Sequence, residues 1–380
     1  MKKFKFYIFI VTFILSFVLF IFQYPLNADA LKVSAQCAVT IEASTGIVLS
    51  EINPDKVRPM ASTTKIMTAL VALENASLDD IFKVTSSAAL VDGSQLGLVD
   101  GDEIILEDLL YMMMLKSAND AAETIAQGVA GSLEAFVELM NKKAREIGCV
   151  NTNFANPHGM PNDNHYTTAK ELAMITREAM KNDTFREIVG TDKKKLQYHG
   201  LVIDNSNRLL EIYTYADGVK TGFTKKAGRC LVSSATKDGV TLITVTLNAG
   251  DDWNDHIKLY EHNFTRVKAV ELIPAGEYEA SRPSLNGKTR TVVTNSEALI
   301  GVEIDGKLPY YEYSENLPKF FFAPIQKMKV CGSIYLMYNN LAVSKSPLYC
   351  PHGVEQDESE KGFWGIYAYY FKIIMEKVLF

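Results

Sequence analysis

Three short motifs carry residue types that together could perform serine-based acyl transfer. They are Ser62-Thr63-Thr64-Lys65, Ser117-Ala118-Asn119 and Lys220-Thr221-Gly222. A serine hydroxyl is a poor nucleophile at neutral pH and needs a nearby base. Lysine can be that base when burial or a second cation lowers its pKa. The motifs therefore predict Ser62 as the nucleophile, Lys65 as its base and Lys220 as the second cation.

The segment around the first motif has the pattern of a buried helix. From Thr63 to Glu74 the apolar residues keep helical spacing and charges are few. At the start of such a helix, Ser62 and Lys65 are three positions apart and share one face. The free backbone N–H groups of a helix N-terminus can also stabilise a developing oxyanion.

Single motifs of this kind arise by chance, and the chain contains a second Ser-x-x-Lys at Ser234-Ala235-Thr236-Lys237. That copy lies in a predicted strand, where positions i and i+3 point to opposite faces. The context therefore favours Ser62 over Ser234 as the nucleophile.

The second motif falls between two predicted helices, Glu107 to Leu115 and Ala118 to Val129. A loop there can hold a hydroxyl and an amide against a cleft. Ser117 is a candidate for relaying a proton to the leaving amine, and Asn119 for contacting the bound peptide or holding Lys65. The structural alternative is that Ser117 only caps the following helix.

The third motif lies in a strand-forming stretch, Tyr213 to Thr221. A cation and a hydroxyl at a strand edge, Lys220 and Thr221, would bind a substrate carboxylate, and Gly222 allows the backbone to come close. The alternative is an ordinary exposed strand that contains a glycine.

The elements around these motifs predict a first domain of the α+β class over residues 31–265. A strand–turn–strand hairpin is expected from Val39 to Ser50 and further helices from Leu133 to Ile147 and Thr168 to Lys181. Two strands, Cys230 to Thr236 and Val240 to Leu247, flank a hairpin turn. This order indicates an antiparallel sheet covered by helices.

Residues 266–350 read as a small all-β domain, because short alternating segments occur there without a long helix. Those segments are Thr289 to Thr294, Ala298 to Ile304 and Ile334 to Tyr338.

The two ends of the chain suggest export and membrane contact. Residues 1–30 show the lysines, apolar run and Ala28-Asp29-Ala30 of a secretory signal, with an uncleaved anchor as the alternative. Residues 351–380 read as a polar linker and an aromatic-rich amphipathic helix from Phe363. Such a helix suits a membrane surface, and packing onto the body is the alternative.

Composition excludes some functions. With 47% hydrophobic and 22% charged residues the chain can form a sizeable core, and a net charge of −6 offers no basic stripe for nucleic acid. The six histidines show no metal-binding spacing, so neither a metal nor a cofactor is expected. Of the five cysteines, Cys331 and Cys350 are the first pair to test for a disulfide, with buried free thiols as the alternative.

In this order the three motifs resemble those of penicillin-binding proteins and class A β-lactamases. The surroundings resemble the low-molecular-mass D-alanyl-D-alanine carboxypeptidases in particular, over about Lys32 to Phe264. The stretches that carry this resemblance are Pro59-Met60-Ala61, Gly93-Ser94-Gln95-Leu96-Gly97-Leu98, Glu107-Asp108-Leu109-Leu110-Tyr111, Asn119-Asp120-Ala121-Ala122, Asn156-Pro157-His158-Gly159-Met160, His165-Tyr166 and Asp217-Gly218-Val219-Lys220-Thr221-Gly222-Phe223-Thr224.

The resemblance implies a β-lactamase/transpeptidase-like fold and a serine carboxypeptidase that removes the terminal D-alanine from peptidoglycan stem pentapeptides. It implies Ser62 as the acyl-enzyme nucleophile, Lys65 as proton acceptor and Ser117 as a second active-site serine. Asn119, Lys220, Thr221 and Gly222 would contact substrate, and the backbone N–H groups of Ser62 and Phe223 would form the oxyanion hole. β-Lactams would inhibit at Ser62, on the extracytoplasmic face of the cell membrane.

One departure from the family pattern is Ala118, where glycine is usual, and it predicts an extra methyl group beside the cleft. Two other functions remain as alternatives. A class A β-lactamase would need a Glu-x-x-Leu-Asn segment between Asn119 and Lys220, and none occurs there. A catalytically silent wall-binding protein would not need the intact motif side chains.

Overall fold

A computed structural model describes residues 31–357 together with Tyr367, Phe371 and Met375. The signal sequence expected over residues 1–30 and most of the tail expected over residues 358–380 lie outside the described residues. The three described tail residues are helical. Among the described residues, no helix combines the length and the apolar character needed to span a bilayer.

The first part of the chain is built on a five-stranded antiparallel sheet with the order β2-β1-β9-β8-β7. Its strands are β1 (Cys37–Glu42), β2 (Val48–Ile52), β7 (Ala216–Thr224), β8 (Gly228–Lys237) and β9 (Val240–Leu247). Strand β7, which carries Lys220, is an edge strand, so one side of its backbone is open to another chain. Two small pairs, β3 (Ile81–Lys83) with β4 (Glu103–Ile105) and β5 (Lys193–Lys195) with β6 (Val202–Asp204), lie outside this sheet.

Nine helices accompany this sheet within the described residues. They are α1 (Lys65–Asn75), α2 (Ser86–Ala89), α3 (Leu106–Leu115), α4 (Asn119–Ala130), α5 (Leu133–Ile147), α6 (Ala169–Ala179), α7 (Asp183–Gly190), α8 (Leu209–Ile212) and α9 (Asp252–Phe264). Two short 3-10 turns, Ala61–Thr64 and Tyr198–Gly200, complete the set.

The alternation of side chains along β9 separates the two faces of the sheet. Ile243 and Val245 face the main hydrophobic cluster, which also contains most of the buried side chains of α1, α3 and α4. Thr246 points to the opposite face, where it hydrogen-bonds His256 of α9. Helix α1 is therefore central, and the lysine at its first position is fully buried.

Residues 267–350 contain strands and loops but no helix. The strands are β10 (Val267–Ile273), β11 (Glu279–Arg282), β12 (Ser284–Leu285), β13 (Thr291–Asn295), β14 (Leu299–Ile304), β15 (Glu312–Asn316), β16 (Phe321–Phe322), β17 (Lys329–Tyr338) and β18 (Leu341–Cys350). A five-stranded sheet has the order β11-β13-β18-β17-β15, and β10 pairs with β14. Only the short pair β12–β16 is parallel among these described strands.

The β-rich part contacts the first part through the β10–β14 pair. Val302 joins a hydrophobic cluster that includes Leu49 and Tyr260. Arg266, between α9 and β10, donates to the Leu49 carbonyl and pairs with Asp305. The two parts therefore share apolar and polar contacts.

The predicted fold class, α+β followed by a small β-rich unit, is confirmed. Helices α2, α7, α8 and α9 were not predicted. The apolar residues Trp253, Ile257, Tyr260 and Phe264 of α9 nevertheless keep helical spacing. Cys331 and Cys350 pack in one cluster on neighbouring strands, but both are free thiols, as are the other three cysteines. For this pair the structure agrees with the alternative of free thiols.

Candidate active site

The nucleophile candidate Ser62 lies in a tight 3-10 turn immediately before helix α1. Ala61 before it adopts a left-handed backbone, with φ 50°, which for a residue other than glycine costs about 1–3 kcal/mol. Two hydroxyls hold the turn: Thr63 Oγ1 donates to the Met60 carbonyl and Thr64 Oγ1 to the Ala61 carbonyl. The strained turn is thus fixed by its own sequence.

Lys65 lies at the centre of the site and has three polar neighbours. Its Nζ lies 3.1 Å from Ser62 Oγ, 2.7 Å from Asn119 Oδ1 and 2.8 Å from the His158 carbonyl oxygen. The side chain is fully buried. The predicted proximity of the serine hydroxyl and the lysine amine is therefore present.

Burial lowers the pKa of Lys65 well below its usual value, and the neighbouring cation of Lys220 lowers it further, against a smaller opposite effect of Asp120. A neutral amine has two N–H donors and one lone pair. Asn119 Oδ1 and the His158 carbonyl are both acceptors, so they take the two N–H groups. The lone pair is left facing the Ser62 hydroxyl, as a general base requires.

The second motif supplies one of these acceptors. Asn119 begins helix α4; its Nδ2 donates to the Asp92 carbonyl while its Oδ1 accepts from Lys65. Ser117, two residues earlier, is half-buried and has φ 61°. The N-cap of α4 is Ala118, without a side-chain cap, so the capping interpretation of Ser117 is wrong.

Ala118 itself does not behave as the sequence suggested. Its side chain is 1% exposed and belongs to the main hydrophobic cluster. The methyl group that replaces the usual glycine hydrogen is accommodated in the core and is not exposed beside the cleft.

Strand β7 brings the third motif against the nucleophile turn. A Cβ on Gly222 would come within 2.9 Å of the Ser62 backbone nitrogen and 3.0 Å of that of Thr63, closer than real Cβ contacts allow. Lys220, two residues earlier, is buried, and burial lowers its pKa to about 7. Its Nζ donates to the Thr221 carbonyl. The side chain of Phe223, the next residue, is 65% exposed.

A turn over residues 156–160, outside the three motifs, also forms part of the site. A Cβ on Gly159 would lie 1.9 Å from the Ala61 carbonyl oxygen, so this turn packs directly on the nucleophile turn. Asn156 spans the turn by accepting from Gly159 N and donating to the Met160 carbonyl.

His165 contacts the nucleophile turn through a hydrogen bond to Thr64. Its Nδ1 accepts from Ala155 N, so the proton is on Nε2, which lies 2.7 Å from Thr64 Oγ1. Burial lowers the pKa of His165 to about 3, and it is therefore neutral at neutral pH. The chain His165–Thr64–Ala61 links this histidine to the strained residue before Ser62.

The structure thus brings together Ser62, Lys65, Asn119, Lys220 and Gly222, with Ser117, Thr221 and Phe223 beside them in the same loop and strand. Sequence reasoning assigned no role to the His158 carbonyl, Glu123 or the His165–Thr64 contact. In the sequence, the stretches Asn156 to Met160 and His165-Tyr166 stand out only through the family resemblance. The sequence feature that could have indicated this turn is His158-Gly159, a histidine beside a glycine in a polar loop.

Comparison with known proteins gives a consistent result. The sequence profile of the D-alanyl-D-alanine carboxypeptidase family matches residues 25–251. The chain is similar to D-alanyl-D-alanine carboxypeptidase DacF of Bacillus subtilis, at 31% identity over 87% of both chains. It is also similar to DacC of Escherichia coli, at 31% identity over 89% of this chain and 88% of the relative. The solved structure of penicillin binding protein 5 from Haemophilus influenzae aligns with a TM-score of 0.62 and 25% identity, covering 86% of this chain and 98% of that one.

Proposed function

The chain belongs to the D-alanyl-D-alanine carboxypeptidase family, and from this membership we propose that Ser62 is the nucleophile of its reaction and Lys65 the base. The enzyme is a serine carboxypeptidase and a penicillin-binding protein that acts on peptidoglycan peptides outside the cytoplasm. Neither a β-lactamase nor a catalytically silent wall-binding protein is favoured. The position of Lys65 Nζ between one hydroxyl and two carbonyl acceptors is the observation that carries the residue assignment.

Acylation begins when the C-terminal carboxylate of the stem peptide docks on Lys220 and Thr221 at the edge strand. The lone pair of Lys65 Nζ takes the Ser62 proton, and Ser62 Oγ attacks the carbonyl of the penultimate D-alanine. The oxyanion is held by the backbone N–H groups of Ser62 and Phe223. Gly222 keeps this groove open, because any side chain there would lie against the Ser62 N–H.

The tetrahedral intermediate collapses when the terminal D-alanine leaves. Its nitrogen receives the proton from Lys65, relayed by Ser117, and the C–N bond breaks. Water then attacks the ester, gives its proton to Lys65, and Ser62 recovers a proton as the tetrapeptide is released. Each proton accepted by Lys65 is passed on, so the amine is neutral again at the end of the cycle.

Labelling with a fluorescent penicillin tests the nucleophile. Wild type should form one covalent adduct and Ser62→Ala none, whereas Ser234→Ala, in the decoy motif, should label like wild type. Mass spectrometry of muropeptides should show loss of one D-alanine from the pentapeptide with wild type and Ser234→Ala, but not with Ser62→Ala. Equal labelling of wild type and Ser62→Ala would refute the assignment.

Lys65→Arg tests the base. Arginine stays charged at any attainable pH and cannot accept the Ser62 proton, so acylation should fall by at least the 10²–10⁴ that general-base catalysis contributes. Retained acylation in this variant would remove Lys65 from the role of base.

We further propose that residues 1–30 are a cleaved export signal and that the tail from Phe363 binds the membrane surface. The sequence pattern of both segments supports this. Flotation with anionic phospholipid vesicles should recover the chain beginning at residue 31, and a version ending at residue 357 should stay unbound while it still labels with penicillin. If both versions float, or neither does, the tail is not the anchor.

A further inference from the structure

One of the two acceptors that orient Lys65 is a backbone carbonyl in a loop, and a loop carbonyl needs something to fix its direction. The acceptor is the His158 oxygen, 2.8 Å from Lys65 Nζ. Rotation of this peptide would release an N–H of Lys65 and turn its lone pair away from Ser62. The precision of the base therefore depends on whatever holds residue 158.

The imidazole of His158 is held by Glu123. His158 Nδ1 accepts from Met160 N, so the ring proton is on Nε2, and Nε2 lies 3.2 Å from Glu123 Oε1. Both residues are buried, each at 7% exposure. Burial lowers the pKa of His158, so at neutral pH the contact is a hydrogen bond from a neutral ring and not an ion pair.

Glu123 and Asn119 occupy positions i and i+4 of helix α4, so their side chains lie on one face of that helix. Asn119 accepts from Lys65 directly. Glu123 acts on the other acceptor through His158. One helix face therefore controls both groups that receive the N–H donors of Lys65.

We infer that Glu123 is a positioning residue for the catalytic lysine, which it orients through the His158 ring and carbonyl. It touches neither the substrate nor the reacting atoms. The inference rests on the proposed role of Lys65 as base, and it adds a buried carboxylate that lies outside the three motifs.

The test compares Glu123→Ala with Glu123→Gln in the full enzyme. The acylation rate constant with benzylpenicillin is measured in single turnover and normalised to the sites that penicillin titrates, so that misfolded protein does not count. Glu123→Ala should acylate about tenfold more slowly, part of the 10²–10⁴ due to general-base catalysis. Glu123→Gln keeps an oxygen that accepts from His158 Nε2, and it should stay within about threefold of wild type.

The pH dependence of the acylation rate constant separates positioning from stability, because a loss of stability alone would not change it. The groups around Lys65 are Lys220, Asp120, His158, His165 and Glu123. With the carbonyl turned away, the ammonium form of Lys65 loses an acceptor and its pKa falls. The acid limb of the acylation profile should therefore move to lower pH in Glu123→Ala and stay in place in Glu123→Gln.

Two further variants complete the design. Asp255→Ala removes a carboxylate that is more deeply buried than Glu123, 1% against 7% exposed, but binds Ser34 on the far side of the sheet, so it should lose stability without a change in the normalised rate or its pH profile. His158→Ala should resemble Glu123→Ala, and the double variant should be no slower than either single one, since the two residues act as one unit.

The inference is overturned if Glu123→Ala acylates at the wild-type normalised rate, if Glu123→Gln is as slow as Glu123→Ala, or if the double variant shows additive losses. These outcomes are distinct from failure of the proposed function, in which wild type itself would not depend on Ser62 or Lys65 for labelling.

Discussion

Replacement of Gly159 by alanine should displace the nucleophile although no motif residue is substituted. The new Cβ would lie 1.9 Å from the Ala61 carbonyl oxygen and 2.9 Å from the Ser62 nitrogen, whereas ordinary contacts begin at 3.4 Å. The loop and the nucleophile turn must therefore separate by about 1.5 Å (3.4 − 1.9). Because a displacement of about 1 Å can reduce catalysis about 10²-fold, acylation of Gly159→Ala should fall by at least that factor.

Gly101→Ala is the matched control for this variant. Gly159 has φ +90° and Gly101 φ +94°, so both alanines suffer the same left-handed strain of about 1–2 kcal/mol. A Cβ on Gly101, however, meets nothing within 4 Å. Both variants should lose stability in chemical denaturation, and only Gly159→Ala should lose acylation.

The assay is single-turnover acylation by a fluorescent penicillin, with melting temperatures measured on the same samples. If Gly159→Ala acylates like Gly101→Ala, then the turn over residues 156–160 does not hold the nucleophile in place. The close packing of Gly159 on Ala61 would then stabilise the fold without positioning Ser62.

Three other predictions follow from single side chains. Ser234 Oγ is buried without a hydrogen-bond partner among the described residues, so Ser234→Ala should raise the free energy of unfolding by about 1 kcal/mol in a urea titration and leave labelling unchanged. Asp120 Oδ2 accepts from the backbone nitrogens of Leu96, Gly97 and Leu98, so Asp120→Asn should cost about 2 kcal/mol in the same titration, and no loss would refute the loop contact. Because Lys220 is cationic only below a pKa of about 7, kcat/KM for a peptide ending in D-alanyl-D-alanine should decline as pH rises through about 7, mainly through KM, and a flat profile to pH 9 would exclude Lys220 as the carboxylate site.

The architecture was largely predictable because local sequence patterns indicate its main helices and strands. Helix α5 begins and ends where the apolar period predicted, and β9 has the predicted bounds. Both have strong periodicity and clear ends: Ser132 caps α5 and Gly148 follows it in left-handed conformation. Helix α9 was missed although its apolar positions keep helical spacing, because its buried face is largely polar and carries Asp255, His256 and Asn263.

The chemical side chains were also predictable, since Ser62 and Lys65 are separated by a local, helical spacing. The groups that tune them were not predictable from the residues alone. The His158 carbonyl belongs to the backbone, so no residue type indicates its role. Glu123 is a glutamate on an amphipathic helix, and only the tertiary fold places His158 beside it. Contacts between residues 35 or 93 positions apart depend on the tertiary fold, and no local pattern encodes them.

Burial of the two lysines of this site has an energetic cost and also a chemical use. Two lysines are each essentially buried, at 0% and 1% exposure, and a buried charge costs several kcal/mol unless it is paired. No carboxylate forms an ion pair with either lysine among the described residues, so the fold does not offset the cost by pairing. It lowers the pKa of both amines instead, which turns the unfavourable burial into the property that a lysine base needs. The oxygens of Asn119 and of the His158 carbonyl then fix the direction of the Lys65 amine, because each accepts one of its N–H groups.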